Sequence, residues 1–193
     1  MNDQRTRGLS EGMLVGDRYL IVRKVGEGGM GCVYLAEDMR LKGQRWAVKW
    51  VRPDVAAPFL PEHEAAIMTS LRHEALPRIV DYFIEEETGG RCLVMDYLEG
   101  ETLLAHSAAR GHTLPWRQVV QYAIQLCDLL DYLHSQDSPI VFRDIKPSNV
   151  IVGRDNRVRL VDFGIARTYK EGKASDTVHI GSVGFAAPEL ISN

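Results

Sequence analysis

A glycine-rich run, Gly26–Val33, interrupts two runs of β-branched and aromatic residues, and it limits the possible folds more than any other feature. The flanking runs, Tyr19–Val25 and Val33–Ala36, have the composition of strands. Glycines let backbone N–H groups approach a phosphate chain without interference from a Cβ atom. Taken alone, the motif fits a flexible hairpin tip or a dinucleotide-binding turn equally well. The flanking strands favour an antiparallel hairpin, because a dinucleotide fold needs the motif between a strand and a helix.

The remaining periodicity predicts a strand-rich first half and a more helical second half. An amphipathic helix is predicted over Glu62–Leu71, where apolar residues recur at near-helical spacing. A long helix is predicted over Leu114–His134. Its broad apolar stripe consists of Trp116, Val119, Val120, Ala123, Ile124, Cys127, Leu130 and Leu133. Further strands are predicted at Arg45–Val51, Ile79–Glu85, Cys92–Tyr97, Ile140–Phe142, Val150–Val152 and Val158–Val161.

The chain changes from a strand-rich to a more helical pattern after Gly100, and this change predicts two lobes. We assign residues 1–13 to an N-terminal tail, 14–95 to the first lobe, 96–100 to a hinge and 101–193 to the second lobe.

Charge and composition exclude some classes of function. The net charge of -3 and the pI near 6.1 provide no general attraction to nucleic acid or to an anionic membrane. Cys32, Cys92 and Cys127 are odd in number and widely spaced, which argues against a disulfide framework and favours a cytoplasmic location. The six histidines match no metal-binding spacing, and no apolar run is long enough for a membrane span. We therefore expect no nucleic-acid partner and no membrane insertion within this chain.

The loop Phe142–Asn149 carries the strongest chemical signal. It presents a carboxylate at Asp144, an amine at Lys146 and a carboxamide at Asn149. These groups can orient a hydroxyl, neutralise a transferring phosphate and bind a divalent ion. Asp162-Phe163-Gly164 follows a strand pair and offers a second metal-binding carboxylate.

A lysine on a predicted strand provides a further candidate. Lys49 follows Ala47 and Val48, and Glu64 lies beyond it on the predicted helix. A lysine on a strand is usually only solvated. Pairing with a helix-borne carboxylate would instead hold its ammonium near the α- and β-phosphates of a nucleotide.

Ala187-Pro188-Glu189 completes a set of motifs that, in this order and spacing, resembles the bacterial-type (Hanks-type) serine/threonine protein kinases. The resemblance covers Leu14–Glu189. It implies an α+β, two-lobed fold with an antiparallel-sheet N-lobe, one main helix in that lobe, and an incomplete, mainly helical C-lobe. It also implies transfer of the γ-phosphoryl group of ATP-Mg²⁺ to protein serine or threonine hydroxyls, as part of signalling.

The resemblance implies a role for each matching residue. Asp144 would be the catalytic base, Lys146 would contact the γ-phosphate, and Glu64 would hold Lys49. Asn149 and Asp162 would hold Mg²⁺. Val33, Ala47 and Ile151 would sandwich adenine, Met95 would be the gatekeeper, and backbone groups of Asp96 to Leu98 would meet the adenine edge. The implied ATP-binding positions are Gly26, Glu27, Gly28, Gly29, Met30, Gly31, Val33, Ala47, Lys49, Met95, Asp96, Leu98 and Ile151.

Two features depart from the family pattern. Phe142 replaces the usual histidine before Arg-Asp, and we expect its ring to stack against Phe163 and Met68. The chain also ends shortly after Glu189, whereas the family continues with several helices. We therefore expect an incomplete domain with part of the 114–134 stripe exposed, and further sequence can add a membrane span or a sensor domain.

The segment between Asp162 and Glu189 suggests regulation. Arg143 beside the catalytic base resembles kinases in which a phosphate group orders this segment. We predict autophosphorylation at Thr177 or Ser175, with two kinase copies associating for that reaction.

Two alternatives remain open. A pseudokinase would bind nucleotide or a partner without transferring phosphate, but it usually lacks one or more of the residues retained here. The second alternative is a small-molecule phosphotransferase of related fold. The segment from Asp162 to Glu189, which ends in Ala-Pro-Glu, favours a protein substrate instead.

Overall fold

In the computed structural model, the described residues are 8–55, 61–162, 167–168 and 184–185. Backbone contacts divide the chain into two compact units. The first contains residues up to Leu71 together with Pro77–Tyr97, and the second contains Arg72–Leu76 and residues from Leu98 onward. The division after Tyr97 falls within residues 96–100, and the predicted limits of the tail, the lobes and the hinge stay predictions.

The first unit is built on an antiparallel sheet with the strand order β1-β2-β3-β4-β6-β5. The five strands predicted for this part of the chain are confirmed. Two-residue β1 was not predicted, because it is too short to show a period. The strands are β1 (Leu14–Val15), β2 (Tyr19–Gly28), β3 (Gly31–Asp38), β4 (Arg45–Val51), β5 (Ile79–Ile84) and β6 (Arg91–Asp96).

Strand β4 is covered on both faces, which explains its nearly continuous apolar sequence. Trp46, Val48 and Trp50 pack in a large cluster with residues of β2, β3 and β6. Ala47, between them, packs in a second cluster with Leu93. Alternate residues of β4 therefore enter different clusters, as the pleat of a strand requires.

A buried carboxylate fixes the end of β3. The Asp38 side chain accepts hydrogen bonds from Arg18 Nη2 at 2.8 Å and from Trp46 Nε1 at 2.9 Å. It also accepts from the backbone N–H groups of Arg40 and Leu41 at 2.9 and 3.0 Å. The hydrogen bonds from Arg18 are the main reason that the pKa of Asp38 lies well below its usual value, although burial opposes this shift.

Asp38→Asn is expected to lower the free energy of unfolding by about 3 kcal/mol, because an amide nitrogen cannot accept a hydrogen bond from Arg18. The pKa of Asp38 is lower in the folded than in the unfolded chain. Its contribution is therefore present above about pH 4 and lost as the pH falls towards the folded-state pKa. Urea unfolding from about pH 6 down to about pH 2 should show wild type and variant converging in acid. A constant difference would contradict this assignment.

One helix, α1 (Pro61–Met68), belongs to the first unit. It ends three residues before the predicted limit at Leu71. Glu62 and Glu64 lie in its first turn, where the helix dipole favours negative charge. Glu64 and Met68 are buried.

The second unit contains two helices and short strands among the described residues. Strands predicted near residues 140, 150 and 158 are confirmed, whereas α2 was not predicted because its six residues are too few for a helical period. A 3-10 turn, Pro147–Asn149, precedes β9. The elements are α2 (Leu103–Ala108), α3 (Trp116–His134), β7 (Glu101–Thr102), β8 (Ile140–Val141), β9 (Val150–Val152), β10 (Val158–Leu160) and β11 (Arg167–Thr168).

Helix α3 confirms the predicted long helix, and part of its apolar stripe is exposed, as expected from the sequence. Tyr122, Leu129 and Leu133 are its buried residues. Of the predicted stripe, only Leu133 is among them, while Trp116 is 70% exposed. Three further stripe residues are also exposed: Val119, Val120 and Ile124. The sequence period locates an apolar face, but it does not identify the face that the second unit covers.

Candidate functional site

The glycine-rich run forms the tip of the hairpin between β2 and β3. Gly28 pairs with Gly31 across the hairpin, leaving Gly29 and Met30 as the turn. The backbone N–H of Arg52 donates to the Met30 carbonyl at 3.0 Å, which ties the turn to the end of β4. The tip therefore has a fixed position on the sheet.

The fold requires glycine at one position of this tip but not at two others. A Cβ atom on Gly31 would overlap the backbone carbonyl of Trp50, so the packing of β3 on β4 demands glycine there. Added Cβ atoms on Gly28 or Gly29 would meet nothing within 4 Å. The fold does not require glycine at these two positions, and their backbone is open to a ligand.

Three residues predicted at the ATP site, Val33, Ala47 and the gatekeeper Met95, meet in one small apolar cluster of the first unit. Ala47 and Met95 are buried in this cluster, and Val33 packs against it. The strand register explains the grouping, since Ala47 pairs with Met95 on β6 and Val33 pairs with Lys49 on β4. Ile151 and Leu98, which are also predicted at the ATP site, belong to the second unit.

Asp96 is already engaged within the first unit. Its side chain accepts hydrogen bonds from Arg78 Nε at 2.8 Å and Nη2 at 3.0 Å, and its backbone N–H donates to the Arg78 carbonyl at 3.0 Å. Burial would raise the pKa of Asp96, but the hydrogen bonds from Arg78 hold it below its usual value. The Asp96 N–H group is therefore used by the protein itself.

Glu27, also predicted at the nucleotide site, lies at the exposed end of β2. Its carboxylate pairs with Lys24 at 2.6 Å. This hydrogen bond from Lys24 lowers the pKa of Glu27.

Lys49 and Glu64 form an ion pair inside the first unit. The distance from Lys49 Nζ to Glu64 Oε2 is 2.5 Å. The side chains are 16% and 2% exposed, so the charges are largely removed from water. The pair joins β4 to α1, as the positions of a strand lysine and a helix glutamate suggested.

The second unit brings together three polar residues of the 142–149 loop, Asp144, Lys146 and Asn149. Lys146 Nζ lies 2.6 Å from Asp144 Oδ2. The Asn149 amide donates to the Asp144 backbone carbonyl at 2.9 Å and to Oδ2 at 3.1 Å. Asn149 is buried, and its backbone N–H donates to the Lys146 carbonyl at 2.9 Å. The loop thus holds a carboxylate, an amine and a carboxamide in one hydrogen-bonded group.

The β9–β10 hairpin places Asp162 beside this group. Val150 pairs with Leu160, and the Val161 N–H donates to the Asn149 carbonyl at 2.9 Å. Asp162 follows at once with a φ of 70°, a left-handed backbone conformation that is uncommon for an aspartate. Residues 149 and 162 are therefore neighbours although they are distant in sequence.

The donor set at this hairpin suits a hard cation. Asn149 uses its side-chain NH₂ group for Asp144, which leaves its carbonyl oxygen as an acceptor. Together with the Asp162 carboxylate, this supplies the oxygen ligands that Mg²⁺ prefers.

Several sequence predictions concern residues that the structure does not describe. Phe163, Gly164 and the segment Ala187–Glu189 lie outside the described residues, as do Thr177 and Ser175. Phe142 is described and is buried at 1% exposure. Its predicted stacking on Phe163 stays a prediction.

A comparison with protein families decides the classification. The family described as protein kinase domain matches residues 19–193. The chain belongs to the protein kinase family. Within the residues that the structure describes, this kinase chain has no helix that is both long and apolar enough to cross a bilayer.

Kinases from plants and from a bacterium resemble this kinase chain. It is 34% identical to serine/threonine-protein kinase pkn2 of Myxococcus xanthus, over 94% of this chain and 22% of that protein. It is 32% identical to chitin elicitor receptor kinase 1 of Arabidopsis thaliana, over 91% of this chain and 27% of that protein. The chain thus spans about a quarter of the length of these relatives.

A solved structure confirms the predicted fold class of this kinase. The crystal structure of a kinase domain matches with a TM-score of 0.81 over 96% of this chain and 61% of that chain, at 20% sequence identity. At this identity the likeness concerns the fold. The α+β kinase-like architecture with an antiparallel-sheet N-lobe is therefore correct.

Proposed function

We propose that this chain contains the catalytic residues of a serine/threonine protein kinase that transfers the γ-phosphoryl group of ATP to protein hydroxyls. The observation that carries the proposal is the hydrogen-bonded group of Asp144, Lys146 and Asn149. A lysine two residues after the aspartate is typical of the serine/threonine class. The similarity to serine/threonine-protein kinase pkn2 of Myxococcus xanthus supports the same class.

The first unit supplies groups suited to nucleotide binding. The open backbone at Gly28 and Gly29 leaves N–H groups accessible to phosphate oxygens. Lys49, held by Glu64, would bind the α- and β-phosphates. The apolar cluster containing Ala47 and Met95 would provide one wall for adenine.

The second unit supplies groups suited to the transfer itself. The Asp144 carboxylate would align the attacking hydroxyl and accept its proton, while the hydroxyl oxygen forms a bond to the γ-phosphorus. The bond from that phosphorus to the β,γ-bridging oxygen breaks, and ADP leaves. Lys146 would offset negative charge on the transferring group. Asn149 and Asp162 would hold Mg²⁺, which when bound supplies positive charge beside the phosphates.

Regulation by autophosphorylation belongs to the same proposal. Arg143 adjoins the catalytic loop with a φ of 68°, next to the proposed base. A phosphate group on Thr177 or Ser175 would pair with it, and a second kinase copy would catalyse the transfer of that group from ATP.

Transfer assays on the full-length protein test the proposed function. With γ-labelled ATP and Mg²⁺, we expect label on serine and threonine of a generic basic protein and no label on an aminoglycoside. Mass spectrometry of the active protein should place phosphate on Thr177 or Ser175. Label on the aminoglycoside, or ATP binding without transfer to any protein, would refute the kinase assignment. An active enzyme without phosphate in residues 163–189 would remove only the autophosphorylation.

A further inference from the structure

Helix α1 carries Glu64, and among its described side chains few apolar ones are buried. It has eight residues, a length at which an isolated helix is unstable in water. Among its described side chains, Met68 is buried and Ala65 packs against the small apolar cluster. Polar contacts must therefore contribute to the position of this helix.

A polar contact separate from the Lys49–Glu64 pair holds the same first turn. Glu62 Oε1 accepts a hydrogen bond from the Tyr82 hydroxyl at 2.5 Å and one from Arg91 Nε at 3.2 Å. Tyr82 lies on β5 and Arg91 begins β6. We name these three residues the Glu62 cluster.

The sheet fixes both donors of the Glu62 cluster. Strands β5 and β6 are paired, with Tyr82 opposite Leu93 and Ile84 opposite Arg91. Two donors from neighbouring strands therefore converge on one carboxylate oxygen without needing the helix to arrange them. The register of the sheet decides where α1 can place Glu62.

Glu62 and Glu64 hold the helix from different sides. Each residue of an α-helix turns by about 100°, so side chains two positions apart point roughly 200° from each other. Glu64 meets Lys49 of β4, whereas Glu62 meets β5 and β6. A contact on one side alone would leave α1 free to rotate about its axis, and the two together fix its rotation.

The protonation states suit a charge-assisted contact at the edge of the unit, where the Glu62 side chain is 44% exposed and that of Arg91 25% exposed. Burial would raise the pKa of Glu62, but the hydrogen bond from Tyr82 and the charge of Arg91 hold it below its usual value. Burial and the same carboxylate raise the pKa of Tyr82 to about 12. At neutral pH a neutral phenol thus donates to an ionised carboxylate, which is a charge-assisted hydrogen bond.

We propose that the Glu62 cluster positions α1 so that Glu64 reaches Lys49, which makes Glu62, Tyr82 and Arg91 positioning residues for phosphoryl transfer. The inference rests on the proposed kinase function, in which the Lys49–Glu64 pair must be in place for catalysis. Loss of the cluster shifts α1 towards orientations in which the pair is broken, and activity falls with the fraction of paired molecules.

Tyr82→Phe and Glu62→Gln, made in the full-length protein, test this inference. Both changes keep the size of the side chain. We expect kcat to fall about 5- to 30-fold in each, and the double variant to fall by less than the product of the two single effects, because both changes weaken the same charge-assisted hydrogen bond. Hydrogen exchange of the α1 amides, followed without ATP, should become faster in each variant.

Tyr19→Phe is the matched control. The Tyr19 hydroxyl donates to Asp81 at 2.8 Å, and Tyr19 is buried in the larger cluster of the same unit. This variant also loses a tyrosine–carboxylate hydrogen bond, but the bond does not involve α1. It should keep the wild-type kcat and the wild-type exchange rate of α1.

The exchange experiment does not depend on catalysis, so the two proposals can fail separately. Wild-type exchange in α1 of Tyr82→Phe and Glu62→Gln would overturn the inference, even in an active kinase. Equal loss of kcat in Tyr19→Phe would also overturn it, because the effect would then be general destabilisation. A wild-type protein without transfer activity would refute the proposed function while the exchange data still tested the position of α1.

Discussion

Asp144→Asn in the full-length protein is expected to lower the rate of phosphoryl transfer by about 100- to 10,000-fold, with little change in ATP affinity. Asparagine has the shape of aspartate but carries no negative charge, so it can neither align the hydroxyl strongly nor accept its proton. Single-turnover assays at saturating ATP would measure the transfer rate, and a fluorescent nucleotide would measure binding.

The surroundings of Asp144 explain why the effect should fall on the rate. Its Oδ2 atom is 2.6 Å from Lys146 and accepts from Asn149 at 3.1 Å, which fixes the carboxylate in one orientation. In the variant, an amide at this position retains some of these contacts, so the loop keeps its fold. What is lost is the charge that acts on the substrate.

Asp155→Asn provides the matched control for Asp144→Asn. Asp155 lies in the turn between β9 and β10, in the same unit, and its carboxylate pairs with Arg159 at 2.8 Å. Its replacement makes the same chemical change at a position outside the proposed site, so turnover should stay at the wild-type level. Undiminished transfer by Asp144→Asn would remove Asp144 from the mechanism.

Much of the fold followed from the sequence because local patterns and tertiary structure agree. In the first unit, β2 to β6 have enough β-branched and aromatic residues to be recognised singly. Helix α2 was missed, although Thr102 caps it by accepting from the Ala105 N–H at 3.1 Å. A cap residue before six residues is a weak signal when no period accompanies it.

The buried face of α3 shows the limit of periodicity. Tyr122 did not belong to the predicted apolar stripe, yet it is 3% exposed. Its hydroxyl accepts from Gln118 at 2.8 Å and donates to Asn156 at 3.0 Å. A polar tip with partners makes burial of an aromatic ring favourable, and those partners are known only once the β9–β10 turn is placed against the helix.

The candidate site was predictable where its groups lie in one motif. Asp144, Lys146 and Asn149 are close in sequence, so the motif nearly determines their contact. The Glu62 cluster was not predicted, because Tyr82 and Arg91 lie 20 and 29 residues from Glu62. Only the register of β5 with β6 brings these donors to one oxygen, and no local pattern encodes that register.

Lys49→Met is expected to lower kcat/KM for ATP by about 100- to 1,000-fold. Methionine is of similar length and fills the space of the lysine stem, so the change chiefly removes the ammonium that would bind the phosphates. Nucleotide affinity and the transfer rate should both fall, unlike in Asp144→Asn. Steady-state kinetics over a range of ATP concentrations would separate the two contributions.

The same variant should also reveal the structural role of the ion pair. Lys49→Met deprives Glu64, which is 2% exposed, of a partner at 2.5 Å, so the free energy of unfolding should fall. Glu64→Gln in addition removes the buried charge and should restore part of the stability but none of the activity. A double-mutant cycle with these two changes is expected to give a coupling of about 2 kcal/mol.

Two controls make the Lys49 prediction decisive. Lys42→Met removes an exposed lysine of the same unit and should change neither activity nor stability. A cycle on Lys24 and Glu27, an ion pair at 2.6 Å whose side chains are 49% and 66% exposed, should give a much smaller coupling, because water screens both charges. Wild-type kcat/KM in Lys49→Met would show that this ammonium does not serve the nucleotide. Equal couplings in the two cycles would show that burial does not strengthen the Lys49–Glu64 pair.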